Sequence, residues 1–170
     1  MARTARLLMA LSVLSTCGCA AKSQAEVAEG VYIFASVYRD SMCLDIGSEN
    51  VNENDDNVHR FRCNDTVYQK WAVRKDPSRP GRYLIEWSGA GNKFWTAEDH
   101  EPAADYLTWE RRRDSSFQSW NLDDRGNGRF RVQNDGNSRC VDYSSSESGP
   151  NIRLAGCNNA PEQHWIMHKR

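Results

Sequence analysis

The tripeptide Gln-x-Trp recurs three times, as Gln69-Lys70-Trp71, Gln118-Ser119-Trp120 and Gln163-His164-Trp165, with the tryptophans 49 and then 45 residues apart. A second mark keeps step with it: Gly30-Val31-Tyr32, Gly81-Arg82-Tyr83 and Gly128-Arg129-Phe130, spaced 51 and 47. Two independent marks with one period define a repeated supersecondary unit. The chain reads as three copies of one module.

Alignment on the tryptophans extends the register. Copy one places Cys43-Leu44-Asp45 before Trp71, with Cys63 eight residues ahead of it. Copy three places Cys140-Val141-Asp142 before Trp165, with Cys157 again eight ahead. Copy two has Phe94-Trp95-Thr96 and Arg112 at those places. It keeps the glycine-aromatic start and the Gln-x-Trp end, but has lost both cysteines and the aspartate.

Residues 1–21 read as a secretory signal. Arg3 and Arg6 precede an apolar run from Leu7 to Leu14, followed by the small residues Ser15, Thr16, Gly18, Ala20 and Ala21. The run is shorter than the ~20 apolar residues that a spanning helix needs. Cleavage near Ala20 or Ala21 is the expected processing, and Cys17 or Cys19 offers lipid anchoring as the alternative. The expected localisation is secreted or extracellular. An oxidising compartment pairs the remaining cysteines, and four allow three pairings. The repeat register selects Cys43–Cys63 and Cys140–Cys157, each inside its own copy.

The rest of the 170 residues suits one domain. The formal net charge of −1 becomes more negative once Arg3 and Arg6 are removed, which argues against nucleic acid or an anionic membrane as partner. Val31–Val37, Tyr83–Trp87, Tyr106–Glu110 and Phe130–Gln133 have the β-branched and aromatic content of strands. Turn clusters stand between them at Asn50–Asn57, Ser88–Asn92, Asp123–Gly128, Asn134–Asn137 and Ser144–Pro150. An all-β fold follows. A propeller needs at least four blades, so three modules close by three-fold symmetry.

With these motifs the chain resembles the ricin B-type lectin family, over residues 30–170. The resemblance implies a β-trefoil domain over 28–170, with lobes of about 28–77, 78–125 and 126–170. If Gln and Trp share a strand, they face inward together, so Trp71, Trp120 and Trp165 are expected in the core. The motif identifies a fold before it identifies a ligand. Trp109 is expected to be exposed, or to form with Trp95 a separate apolar patch.

The resemblance also implies where a sugar would bind. A pyranose needs a carboxylate for its hydroxyls and an aromatic ring for its C–H face. Copy one supplies Asp45 as the carboxylate, Phe61 as the platform, His59 as the upstream polar group, and Tyr68 with Gln69 to close the site. Copy three keeps Asp142, the weaker candidate, but has Ala155 at the platform place and Arg153 in place of His59, so another ring such as Tyr143 would have to serve. Copy two has Thr96 and Glu110 at the two key places and is expected not to bind in this way. The expected partners are glycans or glycoproteins. The competing reading is a protein-binding trefoil with worn sugar sites: a receptor-binding toxin subunit or a protease inhibitor.

No catalytic residues and no cofactor are expected, because none of the four histidines belongs to a nucleophile motif. Glu98-Asp99-His100-Glu101 reads as a solvated loop rather than a metal site, and Arg111-Arg112-Arg113 as a solvated surface run. Asn64-Asp65-Thr66 fits the N-glycosylation pattern.

Overall fold

Alternation of inward and outward side chains sets the first strand, β1 (Gly30–Ser36). Tyr32 and Phe34 enter the main core, while Ile33 and Ala35 pack on the other face against Cys43. The same period of two recurs in β5 (Tyr83–Trp87), where Tyr83, Ile85 and Trp87 point into that core. The computed structural model describes residues 26–47, 57–89, 91–97, 106–143 and 151–170. The signal-like segment, all of the Asn50–Asn57 turn but Asn57 itself, the Ser144–Pro150 turn and the 98–101 cluster lie outside them.

The other strands are β2 (Met42–Asp45), β3 (His59–Arg62), β4 (Trp71–Lys75), β6 (Lys93–Ala97), β7 (Leu107–Arg111), β8 (Trp120–Asp124), β9 (Arg129–Asn134), β10 (Cys140–Asp142), β11 (Arg153–Ala155) and β12 (Trp165–Lys169). Antiparallel pairing runs β1–β4–β5–β8–β9–β12 and returns to β1. These six strands close a barrel, which leaves it no open edge. The hairpins β2–β3, β6–β7 and β10–β11 cap one end of it. The fold is a β-trefoil of three four-stranded lobes.

Three backbone bonds mark the pseudo-three-fold axis. Val58 N–H donates to Leu107 C=O at 2.7 Å, Leu107 N–H to Ile152 C=O at 3.0 Å, and Ile152 N–H to Val58 C=O at 2.8 Å. All three residues are fully buried, so this closed triangle satisfies backbone groups that have no water to bond. It also joins the three hairpins to one another.

Trp71, Trp120 and Trp165 are fully buried at equivalent places, as the repeats predict. The two disulfides are Cys43–Cys63 and Cys140–Cys157, as the register predicts. Trp109 departs from expectation. It is 3% exposed and packs edge-on against Trp87 at 5.7 Å. Trp95, its cross-strand neighbour, is also fully buried and contacts Phe34, Trp71 and Trp120. The two rings belong to the core and form no separate surface patch.

The arginine run is also more engaged than a solvated run would be. Arg112 lies 3.7 Å from the buried carboxylate of Asp76, and Arg113 pairs with Glu110 at 2.7 Å. Asp76 further accepts from Ser119 Oγ at 2.7 Å, which ties the β4–β5 turn to the second Gln-x-Trp segment.

Candidate functional site

The glutamine of each Gln-x-Trp ends a short 3-10 turn: Val67–Gln69, Ser116–Gln118 and Pro161–Gln163. It does not share a strand with the tryptophan, as i, i+2 alternation had suggested. Gln and Trp are nevertheless both fully buried, because the turn delivers the amide beneath the hairpin while the tryptophan opens the next strand. The intervening residue points its carbonyl to the following lobe: Lys70 C=O accepts from Ser88 N–H at 2.9 Å, Ser119 from Asp135 at 2.9 Å, and His164 from Val37 at 3.0 Å.

In the first lobe, Gln69 Oε1 accepts from Asn64 N–H at 2.9 Å. Its Nε2 donates to Arg62 C=O and to Asp45 Oδ2, both at 2.9 Å. Trp71 Nε1 donates to Leu44 C=O at 3.2 Å. The third lobe repeats every bond: Gln163 meets Asn158 N–H, Gly156 C=O and Asp142 Oδ2, and Trp165 Nε1 meets Val141 C=O. In the second lobe Gln118 meets Arg113 N–H, Arg111 C=O and Thr96 Oγ1, and Trp120 Nε1 meets Trp95 C=O. Each Gln-x-Trp therefore clamps its own hairpin. The residue aligned with Asp45 need only accept one amide hydrogen, which a threonine hydroxyl also does.

Antiparallel register places Asp45 opposite His59 and Cys43 opposite Phe61. These four side chains share one face of the β2–β3 hairpin, since opposed residues point to the same side. Asp45 is 3% exposed, and its Oδ1 accepts from Gly47 N–H at 2.6 Å. Gly47 adopts φ +74, and a Cβ there would stand 2.9 Å from His59 Nδ1, so glycine is what lets the chain turn against the imidazole. Phe61 is 53% exposed. Tyr68 is partly buried, stacked on Trp87 at 6.3 Å, and its carbonyl accepts from Ile46 N–H.

An ionised carboxylate offers about four lone-pair directions. Gly47 and Gln69 use two of Asp45's. The arrangement is thus a buried carboxylate held by two internal donors, beside a half-buried imidazole and an apolar ring open to water.

The other lobes lack that combination. Asp142 is equally buried and bound by Gln163, but Ala155 stands in the place of Phe61. Arg153 lies over the Tyr106 ring at 5.2 Å. Tyr143 packs against Tyr38 at 5.6 Å, in contact with the first lobe. In the second lobe Thr96 donates to Phe94 C=O and Glu110 pairs with Arg113. Asn64 is exposed, and its Oδ1 accepts from Thr66 N–H and Oγ1. Among the described residues, no group of three His, Cys, Asp or Glu side chains is placed to hold a metal, and no helix is long and apolar enough to cross a membrane.

The backbone partners Arg62 and Asn64 have no sign in the sequence, because turn carbonyls and amides leave no residue-type mark, whereas Gly47 is at least a glycine two residues after the aspartate.

A family profile described as ricin-type beta-trefoil lectin domain-like matches residues 66–155. No curated protein matches the chain. Among solved structures, a designed three-fold symmetric protein, ThreeFoil, is 21% identical, with a TM-score of 0.68 over 81% of this chain and 97% of that one. A mosquitocidal holotoxin is 14% identical, with a TM-score of 0.73 over 85% of this chain and 18% of the toxin. The Polyporus squamosus lectin, solved with a human-type influenza-binding epitope, is 15% identical, with a TM-score of 0.69 over 85% of this chain and 50% of the lectin. The match thus spans nearly all of the designed protein, but half or less of the two natural ones.

Proposed function

The chain belongs to the ricin-type beta-trefoil lectin-like family, and from that premise we propose that it is a secreted, non-enzymatic carbohydrate-binding module whose glycan site lies in the first lobe. Phe61 is the observation that carries the reading. A large apolar ring left 53% exposed has no packing role to account for it, and it shares a hairpin face with Asp45 and His59. A pyranose laid on that ring would turn its hydroxyls toward the carboxylate and the imidazole. Asp45 accepts hydroxyls with its remaining lone pairs, His59 supplies a polar flank, and Gln69 with Tyr68 fixes the floor. Lectin neighbours of the same fold support the class of ligand. Export is supported by the two disulfides, which persist outside a reducing cytosol.

One shallow site gives modest affinity. A few hydrogen bonds worth about 1 kcal/mol each, with one stacked ring, amount to millimolar or sub-millimolar binding of a monosaccharide. Useful avidity then comes from clustered glycans or multivalent display.

A glycan array probed with the wild-type domain and with Phe61→Ala tests the proposal. Binding to a defined glycan subset by wild type, lost in Phe61→Ala, is the expected result. A blank wild-type array, together with cell-surface binding that free sugar does not compete, would transfer the function to protein recognition.

A further inference from the structure

The two disulfides occupy equivalent places in their lobes, yet their surroundings differ. One cysteine of each is sealed: Cys43 is 1% exposed and Cys140 fully buried. Their partners part company. Cys157 is half-buried, with its Sγ 3.2 Å from the Ser138 carbonyl oxygen, whereas Cys63 is exposed. A side chain on the neighbouring strand accounts for the difference. Tyr32 and Phe130 are the aromatic residues of the glycine-aromatic mark, so Ile33 and Arg131 are equivalent. Arg131 reaches Asn158 C=O at 3.1 Å and Asp123 at 2.9 Å, which lays its guanidinium beside the residue that follows Cys157. Ile33 is too short for that reach and packs with Ala35 against Cys43. A cleft of about 270 Å³ remains in the first lobe, and both Cys43 and Cys63 line it. Arg170 and Asp65, paired there at 3.1 Å, repeat the Arg125–Asn159 pair of the third lobe, so the two seams share a frame. The second lobe has Phe94 and Arg112 at the two cysteine places, with the guanidinium over the ring at 5.8 Å.

The bond that opens onto this cleft fastens the β2–β3 hairpin. Cys43 stands opposite Phe61, and Asp45 stands opposite His59. Gln69 holds Arg62 C=O and Asn64 N–H, the groups on either side of Cys63, each at 2.9 Å. Cys63 N–H donates to Ser41 C=O at 2.9 Å. With the disulfide open, hydrogen bonds and packing alone hold this end of the hairpin.

We infer that Cys43–Cys63 is a thiol-exchange site, opened in the folded protein by an external dithiol, and that its opening loosens the hairpin face carrying Asp45, His59 and Phe61. A thiolate of the dithiol attacks Cys63 Sγ, the exposed sulfur, and forms a mixed disulfide. The Cys43–Cys63 bond breaks, and its electron pair leaves on Cys43 Sγ, which takes a proton. The second thiolate of the dithiol then attacks the dithiol's own sulfur in the mixed disulfide. Cys63 departs with the electron pair and is protonated. The protein gains two electrons and two protons, and the dithiol ends as a cyclic disulfide. On the proposed glycan reading, on which this consequence rests, sugar binding then answers to external thiols.

Graded dithiothreitol on the native domain, quenched by alkylation and followed by peptide mass mapping, tests the exchange site. Cys43 and Cys63 should become alkylated about tenfold faster than Cys140 and Cys157, because exchange follows access to the attacked sulfur. Ile33→Arg, which installs the third lobe's residue, should slow the first pair. Arg131→Ile should quicken the second, and it decides the matter should Ile33→Arg fail to fold. Backbone-amide NMR of the selectively reduced protein should show shifts over β2 and β3, with Phe94 and Trp95 of the second lobe unmoved. Neither readout needs a glycan, so failure of the glycan reading and failure of this one are distinguishable. Reduction of both bridges at one rate, reduction of Cys43–Cys63 only in urea, indifference to both variants, or an unshifted hairpin after reduction would each overturn the inference.

Discussion

Gln69 donates its side-chain amide to Asp45 Oδ2 across 2.9 Å, inside a lobe where both residues are buried. The family resemblance gives Asp45 one task, to accept sugar hydroxyls. The bond gives it a second. It holds the amide of the Gln-x-Trp clamp, and through Gly47 N–H it fixes the turn beside His59. On the proposed reading, ligand affinity and lobe stability are coupled at this residue.

Asp45→Ala should consequently lower stability as well as abolish glycan binding. Gln69 keeps Arg62 C=O as an acceptor but loses the carboxylate, and Gly47 N–H loses its partner; the cost is about 1–3 kcal/mol for such buried groups. Urea unfolding of the folded, disulfide-bonded protein checks it. Phe61→Ala, by contrast, should shift the midpoint little, because its ring is exposed.

Trp120→Ala should cost ~3–5 kcal/mol, as truncation of a large core aromatic does. Trp120 is fully buried, touches Trp95 and donates to its carbonyl. The second lobe lacks a disulfide and an aspartate, yet this clamp makes it as integral as the others. Equal unfolding midpoints for the variant and wild type would deny that lobe its structural standing.

Reduction of the two disulfides should destabilise the fold by about 3 kcal/mol for each loop in the chain-entropy model. The bridges join residues 20 and 17 apart, so both loops are short and local. Comparing thermal unfolding of the oxidised protein with that of Cys43→Ser/Cys63→Ser and Cys140→Ser/Cys157→Ser measures each contribution.

Stability should also fall in mild acid through His164. Burial, then the nearby Arg125, Arg129 and Arg131, hold its pKa below the ordinary value of 6.5. The unfolded chain then binds the proton more readily than the folded one, so the contribution is fully present above the unfolded pKa and is lost as pH falls below it. Thermal midpoints measured from pH 7 to pH 5 should drop less in His164→Gln than in the wild type.

The legible and illegible parts of the molecule divide along physical lines. Trp71, Trp120 and Trp165 were readable because an identical residue at an identical place in each copy signals a shared packing demand. The disulfides were readable because copies one and three carry cysteines at matching places. Trp109 was not, since its counterparts are Arg60 and Leu154, and three residues so unlike give no common burial signal. The inward turn of Gln69 was foreseen on alternation, whereas a 3-10 turn produces it. Alternation cannot register a backbone that changes conformation between the two residues. Gly47 N–H, which Asp45 accepts, and Arg62 C=O, which Gln69 meets, are main-chain groups, which sequence does not distinguish.

The central claim is that sugar binds the hairpin face of the first lobe. Its most direct measurement is a backbone-amide NMR titration of the wild-type domain with the glycan selected on the array. The account expects shifts centred on Asp45, His59, Phe61 and Gln69, saturating with a millimolar or sub-millimolar Kd and strengthened in Phe61→Trp. Shifts centred instead on Asp142 and Ala155, or binding undiminished in Phe61→Ala, would contradict it.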